Sequence, residues 1–397
     1  MLNQQALYYG KVKSGIRQLF EIGREKKRIF GEENVFDFSL GNPSVPPPEE
    51  VKAAFLDALE TQAPLSLHGY TTAPGDNECR DAIAKDFTER YGEEFTRWNF
   101  YMTCGATAAI ISCLKAFVTG PESEVVVLAP YFPEYRTFID SCGAKTIVVP
   151  PDFESFQINL AALEDKLTVN TRCVIINTPN NPTGVIYTRE NLEGMAEILR
   201  AKSKEFGHPI YVISDEPYRE LVYGDCELPF IPRIYNNTII CYSFSKCLSI
   251  PGDRIGYMCA PSCMDDVDDV MAATAGAARC FAYVCAPAIM QQVIKRCAAV
   301  RPDLAPYEFN RALIYEGLTK IGYECVYPDG AFYLFIKAPN GNSKLFSAMA
   351  QDENLLIVPA DEFGCPGYLR VSYCVDADMI ESSLPVFQKV FERCKNR

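Results

Sequence analysis

The stretch SFSKCLSIPGDRIGY, residues 243–257, sets Lys246 among Ser243, Ser245 and Cys247 and follows it eight positions later with Arg254. Hydroxyls and a guanidinium are donors that a phosphate dianion takes, and an amine in a cationic pocket loses basicity and becomes a nucleophile near neutral pH. A lysine taken by itself is a solvated surface group, so the case depends on what else the chain brings to it. In TCGATAAI, Gly105 and Ala106 precede Thr107 and a helical run. Small residues there let backbone N–H groups approach an anion, although the same stretch serves as an ordinary N-cap. Asp215 ends the apolar run of VISDEPY, where a buried carboxylate needs a cation or a metal. Mg²⁺ sites gather several carboxylates, and the other strand ends carry Asn181 and Lys246, so a protonated heterocyclic nitrogen is the better partner. Tyr218, three residues on, either reaches the same ligand or packs in the core.

Asn181, in NTPNNPTG, is a turn residue and also a neutral donor suited to a phenolic oxygen. Arg370, in GYLRVSY, offers a planar fork to a substrate carboxylate or to an internal salt bridge. The chain has no G-x-x-x-x-G-K-[ST] stretch, so a ligand with a single phosphate fits these donors better than a nucleoside triphosphate.

The elements that position these groups alternate. EVVVLAP, AKTIVVP, RCVIINTP, IYVISDEP and TIICYSFSK read as strands buried on both faces, separated by helical stretches such as RENLEGMAEILRAKSKEF. This pattern predicts a mostly parallel sheet between helices, with ligands bound beyond the carboxyl ends of the strands. After about residue 285 long helices and the runs AFYLFIKAP, LLIVPADEF and YLRVSYCVD suggest a smaller α+β unit. The expected division is a large domain over 46–285 and a small domain from 1–45 and 286–397.

Composition bounds the function. The chain has 397 residues, 48% of them hydrophobic, and its 38 basic and 51 acidic side chains give a net charge of −13. That excess argues against nucleic acid or an anionic membrane surface as the main partner. The N-terminal stretch has no apolar core of signal-peptide length and no run approaches the ~18 residues of a membrane span, so a cytoplasmic protein is expected. Its 17 cysteines are scattered singly without a C-x-x-C pair, and it has two histidines, His68 and His208. Reduced, buried thiols follow, and neither a structural zinc site nor a Ser-His-Asp hydrolase fits.

From DFSLGNPSVPPPEEV through HGYTTAPGDNECRDAIA, NTPNNPTGVIY, SDEPYRELVY and SFSKCLSIPGDRIGY to GAFYLF and YLRVSY, the chain resembles the pyridoxal-phosphate-dependent aminotransferases of fold type I, class I/II. The resemblance implies that Lys246 forms the imine with the cofactor, that Asp215 pairs with the pyridinium nitrogen, and that Asn181 and Tyr218 contact the phenolic oxygen. It places Gly105, Ala106, Thr107, Ser243 and Arg254 at the phosphate, with Tyr70 arriving from the neighbouring subunit of a homodimer whose active sites are shared. Phe132 would stack on the ring, and Arg370, with Asn42 and Asn181, would bind substrate. No metal is implied. The expected reaction moves an amino group from an L-amino acid, aspartate or aromatic, to a 2-oxo acid such as 2-oxoglutarate. A lyase on the same scaffold, cleaving a Cβ–S bond or decarboxylating, shares every one of these residues. A ligand-sensing regulator would need an added DNA-binding module. Asp253 stands where many relatives carry an aromatic residue or glutamate, Cys247 lies beside the reactive lysine, and no arginine or lysine announces itself for a second carboxylate.

Overall fold

The five β-branched runs all become strands of one sheet in the computed structural model, which describes residues 2–12, 14–281, 283 and 285–395. Strands are numbered in chain order from the two-residue β1 (Phe36–Asp37). The sheet comprises β2 (Phe100–Thr103), β3 (Glu124–Leu128), β4 (Lys145–Val149), β5 (Thr171–Asn177), β6 (Tyr211–Asp215), β7 (Thr238–Ser243) and β8 (Gly256–Cys259), in the order β2-β8-β7-β6-β5-β3-β4. β7, β6, β5, β3 and β4 pair in parallel, whereas β8 is antiparallel to both of its neighbours. The reason is the connection: residues 244–255 hold no crossover helix, and a strand returning without one lies antiparallel. β2 and β8 were not among the strands expected from the sequence.

Alternate residues of the central strands serve two layers. Val125, Val127, Cys173, Ile175 and Ile213 pack with Ile110, Cys113 and Leu114 of the helix Ala106–Phe117. Val126, Val174, Ile176 and Val212 pack with Leu192, Met195 and Leu199 of the helix Arg189–Phe206 on the other face. That second helix is the expected RENLEGMAEILRAKSKEF, capped by the Thr188 side chain at one end and stopped at Gly207, φ 75°, at the other.

β9 (Cys325–Val326), β10 (Tyr333–Lys337), β12 (Val358–Pro359) and β13 (Tyr368–Ser372) form a second, antiparallel sheet in the order β12-β13-β10-β9. β1 joins this part of the molecule by pairing in parallel with β11 (Leu355–Leu356). The cores do not change over at residue 285, however. Met290, Val293, Ile294 and Cys297 of the helix Ala288–Cys297 pack with Val51, Ile83, Phe100 and Tyr257 of the large-sheet side, whereas the core around β10 and β13 takes in Tyr307 together with Phe38, Tyr218, Leu221 and Tyr223 from earlier in the chain. The apolar face of that helix matches the helices Glu49–Thr61 and Asn77–Tyr91, a pairing that sequence texture does not reveal. Among the described residues no helix is long and apolar enough to cross a membrane, and no cluster of His, Cys, Asp and Glu is arranged to hold a metal ion.

Candidate active site

Parallel β5, β6 and β7 end side by side at Asn177, Asp215 and Ser243, so the sheet delivers three polar side chains to one edge. They open onto a cavity of about 500 Å³ that Lys246, Arg254, Arg370 and the helix start at Ala106 and Thr107 also line. Asp215 is buried, with Oδ2 accepting from the Tyr135 hydroxyl. Burial pushes its carboxyl up to about 7. Its backbone carbonyl accepts from Asn177 Nδ2 at 2.8 Å, and Asn177 Oδ1 in turn accepts from the Asn181 backbone N–H at 2.7 Å. One asparagine at the end of β5 therefore locks the turn carrying Asn181 to the strand carrying Asp215.

Lys246 sits on the connection between β7 and β8. Its Nζ donates to the Gly41 carbonyl at 2.6 Å, and burial lowers the amine to about 8. At that value a sizeable fraction is neutral near physiological pH, which is what a nucleophilic lysine requires.

The start of the helix Ala106–Phe117 and Arg254 form a single cradle. Gly105 caps the helix at φ 83°, ψ 175°, and a Cβ added there would lie 2.7 Å from Arg254 Nη2. Arg254 itself has φ 55°, a left-handed conformation uncommon outside glycine. Its Nη2 donates to the Cys104 carbonyl and its Nη1 to the Pro251 carbonyl, each at 3.1 Å. The guanidinium is thus held across free backbone N–H groups of a helix N-terminus, with the linked hydroxyls of Ser243 and Ser245, 2.7 Å apart, beside it.

Arg370, in β13, is 2% exposed and bonds only neutral groups. Nη1 donates to Asn181 Oδ1 at 3.1 Å, Nη2 donates to the Ser39 carbonyl, and Nε has no partner. The rings of Tyr333 and Phe363 lie 4.7 and 5.3 Å from the guanidinium carbon. An internal salt bridge is therefore not its function. Tyr218 exchanges a hydrogen bond with Tyr333 at 2.8 Å, and burial raises the Tyr218 phenol well above its ordinary value. Phe132 lines the cavity and meets Tyr135 edge to face at 5.7 Å.

Two expected residues stand apart. Asn42 is exposed and does not line the cavity; its motif contributes Leu40 and Gly41 instead. The backbone passes so close there that a Cβ on Gly41 would overlap the Tyr333 hydroxyl, and it is the Gly41 carbonyl that meets Lys246. Tyr70, 86% exposed, does not line this chain's cavity either. Conversely, sequence reasoning passed over Tyr135, Asn177 and Tyr333. Asn177 was detectable as the last residue of VIIN, whereas nothing local shows the Tyr135 hydroxyl reaching β6.

A parallel sheet that presents a weakly basic lysine, a buried carboxylate and an anion cradle to one cavity defines an enzyme built around a phosphorylated carbonyl cofactor. Residues 33–385 match the family described as aminotransferase class I and II, and the chain belongs to that family. It is 30% identical over 396 residues to the aromatic-amino-acid aminotransferase 2 of Thermococcus litoralis, covering 96% of each chain. It is 29% identical to the aspartate aminotransferase of Thermotoga maritima, covering 93% of this chain and 95% of the other. Among solved structures, an amino transferase of Eubacterium rectale superposes with a TM-score of 0.97 at 46% identity over 99% of both chains. The protein is an aminotransferase, and its cofactor is pyridoxal 5′-phosphate. The residues present fit that group: the space a Gly105 Cβ would fill is the one an anion needs beside Arg254, and the amine, the acid and the anion donors all face one cavity.

Proposed function

We propose that this aminotransferase takes the amino group of an aspartate or aromatic L-amino acid and passes it to a 2-oxo acid such as 2-oxoglutarate. The observation that carries the reading is the opening of Lys246, Asp215 and Arg370 onto a single cavity. Lys246 would hold the cofactor at its aldehyde carbon, Asp215 at the ring nitrogen, and Asn181 and Tyr218 at the phenolic oxygen. Gly105, Ala106, Thr107, Ser243 and Arg254 would hold the phosphate, and Phe132 would lie against the ring. When bound, the cofactor supplies an electron sink for the carbanion formed at the substrate Cα. The protein's own groups do the rest. Nζ of Lys246, once free, accepts and returns the Cα proton, a task for which a pKa near 8 suits it. Arg370 orients the α-carboxylate through its fork, kept in place by Asn181 and by the rings of Tyr333 and Phe363. Ile110, Phe132 and Phe138 give the cavity an apolar wall that keeps water away, and Arg17 stands on its lining as a cation for an acidic side chain.

The reading includes a homodimer with shared sites, because Tyr70 is exposed in one chain and would be placed to meet the partner's phosphate cradle. It also includes a cytoplasmic location, which suits 17 unpaired cysteines, among them Cys113 and Cys241 with sulfurs 3.8 Å apart. The test is a donor screen of the holoenzyme with aspartate, tyrosine, phenylalanine and alanine in the presence of 2-oxoglutarate. Glutamate formed in step with donor loss supports the reading; donor loss without glutamate, as carbon dioxide plus amine or, from added L-cysteine, as pyruvate, ammonia and sulfide, overturns it in favour of a lyase.

A further inference from the structure

Along β6 and β7 and the turn after them, each proposed cofactor contact has a chain neighbour that joins a second polar cluster. Asp215 is followed by Glu216, Ser243 is preceded by Tyr242, and Lys246 is followed by Cys247. Successive side chains of a strand point to opposite faces, so a second set of groups stands behind the first. Glu216, 5% exposed, accepts from Ser214 Oγ at 2.6 Å and from Arg219 Nε at 2.7 Å. Arg219, 4% exposed, also donates from Nη1 to the Tyr257 hydroxyl at 2.9 Å. Its guanidinium carbon lies 4.6 Å from the Tyr242 ring centre and 4.9 Å from that of Phe87. The Tyr242 hydroxyl donates to Glu220 at 2.7 Å and lies 3.0 Å from the Cys247 sulfur, while Glu220 pairs with Arg90 at 3.1 Å. One buried guanidinium therefore touches Glu216 and Tyr242 directly and reaches Cys247 through the Tyr242 hydroxyl.

Two consecutive buried carboxylates are costly unless each has its own cation. Asp215 is faced by the Tyr135 hydroxyl from the helix Glu134–Ser141, by Tyr218 from the loop after β6, by Cys241 opposite it on β7 and by neutral Asn177 on β5. None of these is a cation. The neighbouring Glu216 charge works against ionisation of Asp215, as burial does more strongly.

We infer that Arg219 is a positioning residue for the cofactor: by pairing with Glu216 it leaves Asp215 as the one uncompensated acid at this strand end, available to a cationic ring nitrogen. The inference rests on the proposed placement of Asp215 at that nitrogen. Arg219→Met would leave the two adjacent buried acids, Glu216 and Asp215, without a cation, so the pair takes up a proton and Asp215 no longer stands as a lone carboxylate before the ring nitrogen. Asp215 would then no longer hold a proton on a ring nitrogen placed against it, and the nitrogen that Lys246 contributes to the cofactor bond would become more basic.

The experiment is a pH titration of the visible absorbance of the holoenzyme, alongside the cofactor Kd and the melting temperature. Arg219→Met should raise the absorbance midpoint by about one pH unit, the scale of a nearby like charge, and weaken cofactor binding about tenfold. Adding Glu216→Gln to Arg219→Met should return the midpoint to the wild-type value, and Arg219→Lys should keep it within a few tenths of a unit. Glu216→Gln alone should move it the other way, a sign that does not depend on Arg219→Met folding. A lower melting temperature with an unmoved midpoint in both Arg219→Met and Glu216→Gln overturns the inference, as does a double variant that does not recover. Asp215→Ala separates the two layers: if it too leaves the midpoint unmoved, the placement of Asp215 at the ring is what fails.

Discussion

Gly105→Ala is a one-carbon test of the anion cradle. At φ 83° and ψ 175° the backbone occupies a region that is essentially glycine's own, and an alanine there costs on the order of 1–3 kcal/mol. The added Cβ would also stand 2.7 Å from Arg254 Nη2 and 3.1 Å from its guanidinium carbon. The guanidinium must retreat by several tenths of an ångström, straining its 3.1 Å bonds to the Cys104 and Pro251 carbonyls. Losing one charge-assisted hydrogen bond to a phosphate is worth about 1.5–3 kcal/mol, or roughly a 10- to 100-fold rise in Kd. Apoprotein should be titrated with pyridoxal 5′-phosphate and, separately, with pyridoxal, which lacks the phosphate. The expected result is a rise confined to the phosphorylated ligand, together with a lower melting temperature. Equal weakening of both ligands would refute the reasoning, because the damage would then lie in the fold and not at the phosphate. Unchanged affinity for both would show that no anion sits between Gly105 and Arg254.

Lys246→Ala should leave less than about a thousandth of wild-type turnover, since proton transfer alone supplies ~10²–10⁴-fold and the residue also anchors the cofactor; a steady-state assay of reconstituted protein checks this. Because burial lowers the Lys246 amine to about 8, only the fraction that has lost its proton attacks, so the rate of cofactor capture by apoprotein should climb tenfold per pH unit below about 8 and level off above it. Stopped-flow absorbance that still climbs tenfold per unit beyond pH 9 would assign the lysine ordinary basicity. Arg370→Ala should lower kcat/KM for aspartate, tyrosine and alanine alike, by an amount on the order of 2–5 kcal/mol, and a loss limited to aspartate would make Arg370 a side-chain reader instead. Tyr70→Phe should weaken cofactor binding in a dimer seen by sedimentation, and a fully active monomer would remove Tyr70 from the site.

The parallel strands were legible because buried β-branched runs carry a strong local signal: Val125–Val127 and Val174–Ile176 serve two layers and read as unbroken apolar stretches. β8 was hidden because Gly256–Cys259 continues directly from the motif containing Lys246, and its antiparallel course depends on a partner distant in sequence. Lys246, Asp215 and Arg370 could be singled out since each charge interrupts or ends an apolar run, and Asn181 since it lies in the Pro/Gly turn that follows one. Tyr135 could not, because a tyrosine in an amphipathic helix looks alike whether its hydroxyl meets water or Asp215. The same limit applies to Asn42 and Gly41, where the sequence drew notice to a side chain and the fold uses the carbonyl before it.

Arg370 is anchored by parts of the chain that are far apart: Ser39 near the N-terminus, Asn181 beyond the large sheet, and Tyr333 and Phe363 around the small one. Replacing it disturbs all of these anchors together, so a lineage that changes how the α-carboxylate is held must accept several substitutions before any of them is useful. The apolar wall of Ile110 and Phe138 carries no such obligation. Its side chains can be exchanged one at a time while the chemistry stays intact. The architecture therefore separates what evolution can alter cheaply from what it cannot, and new amino-donor preferences should arise at that wall long before the carboxylate anchor moves.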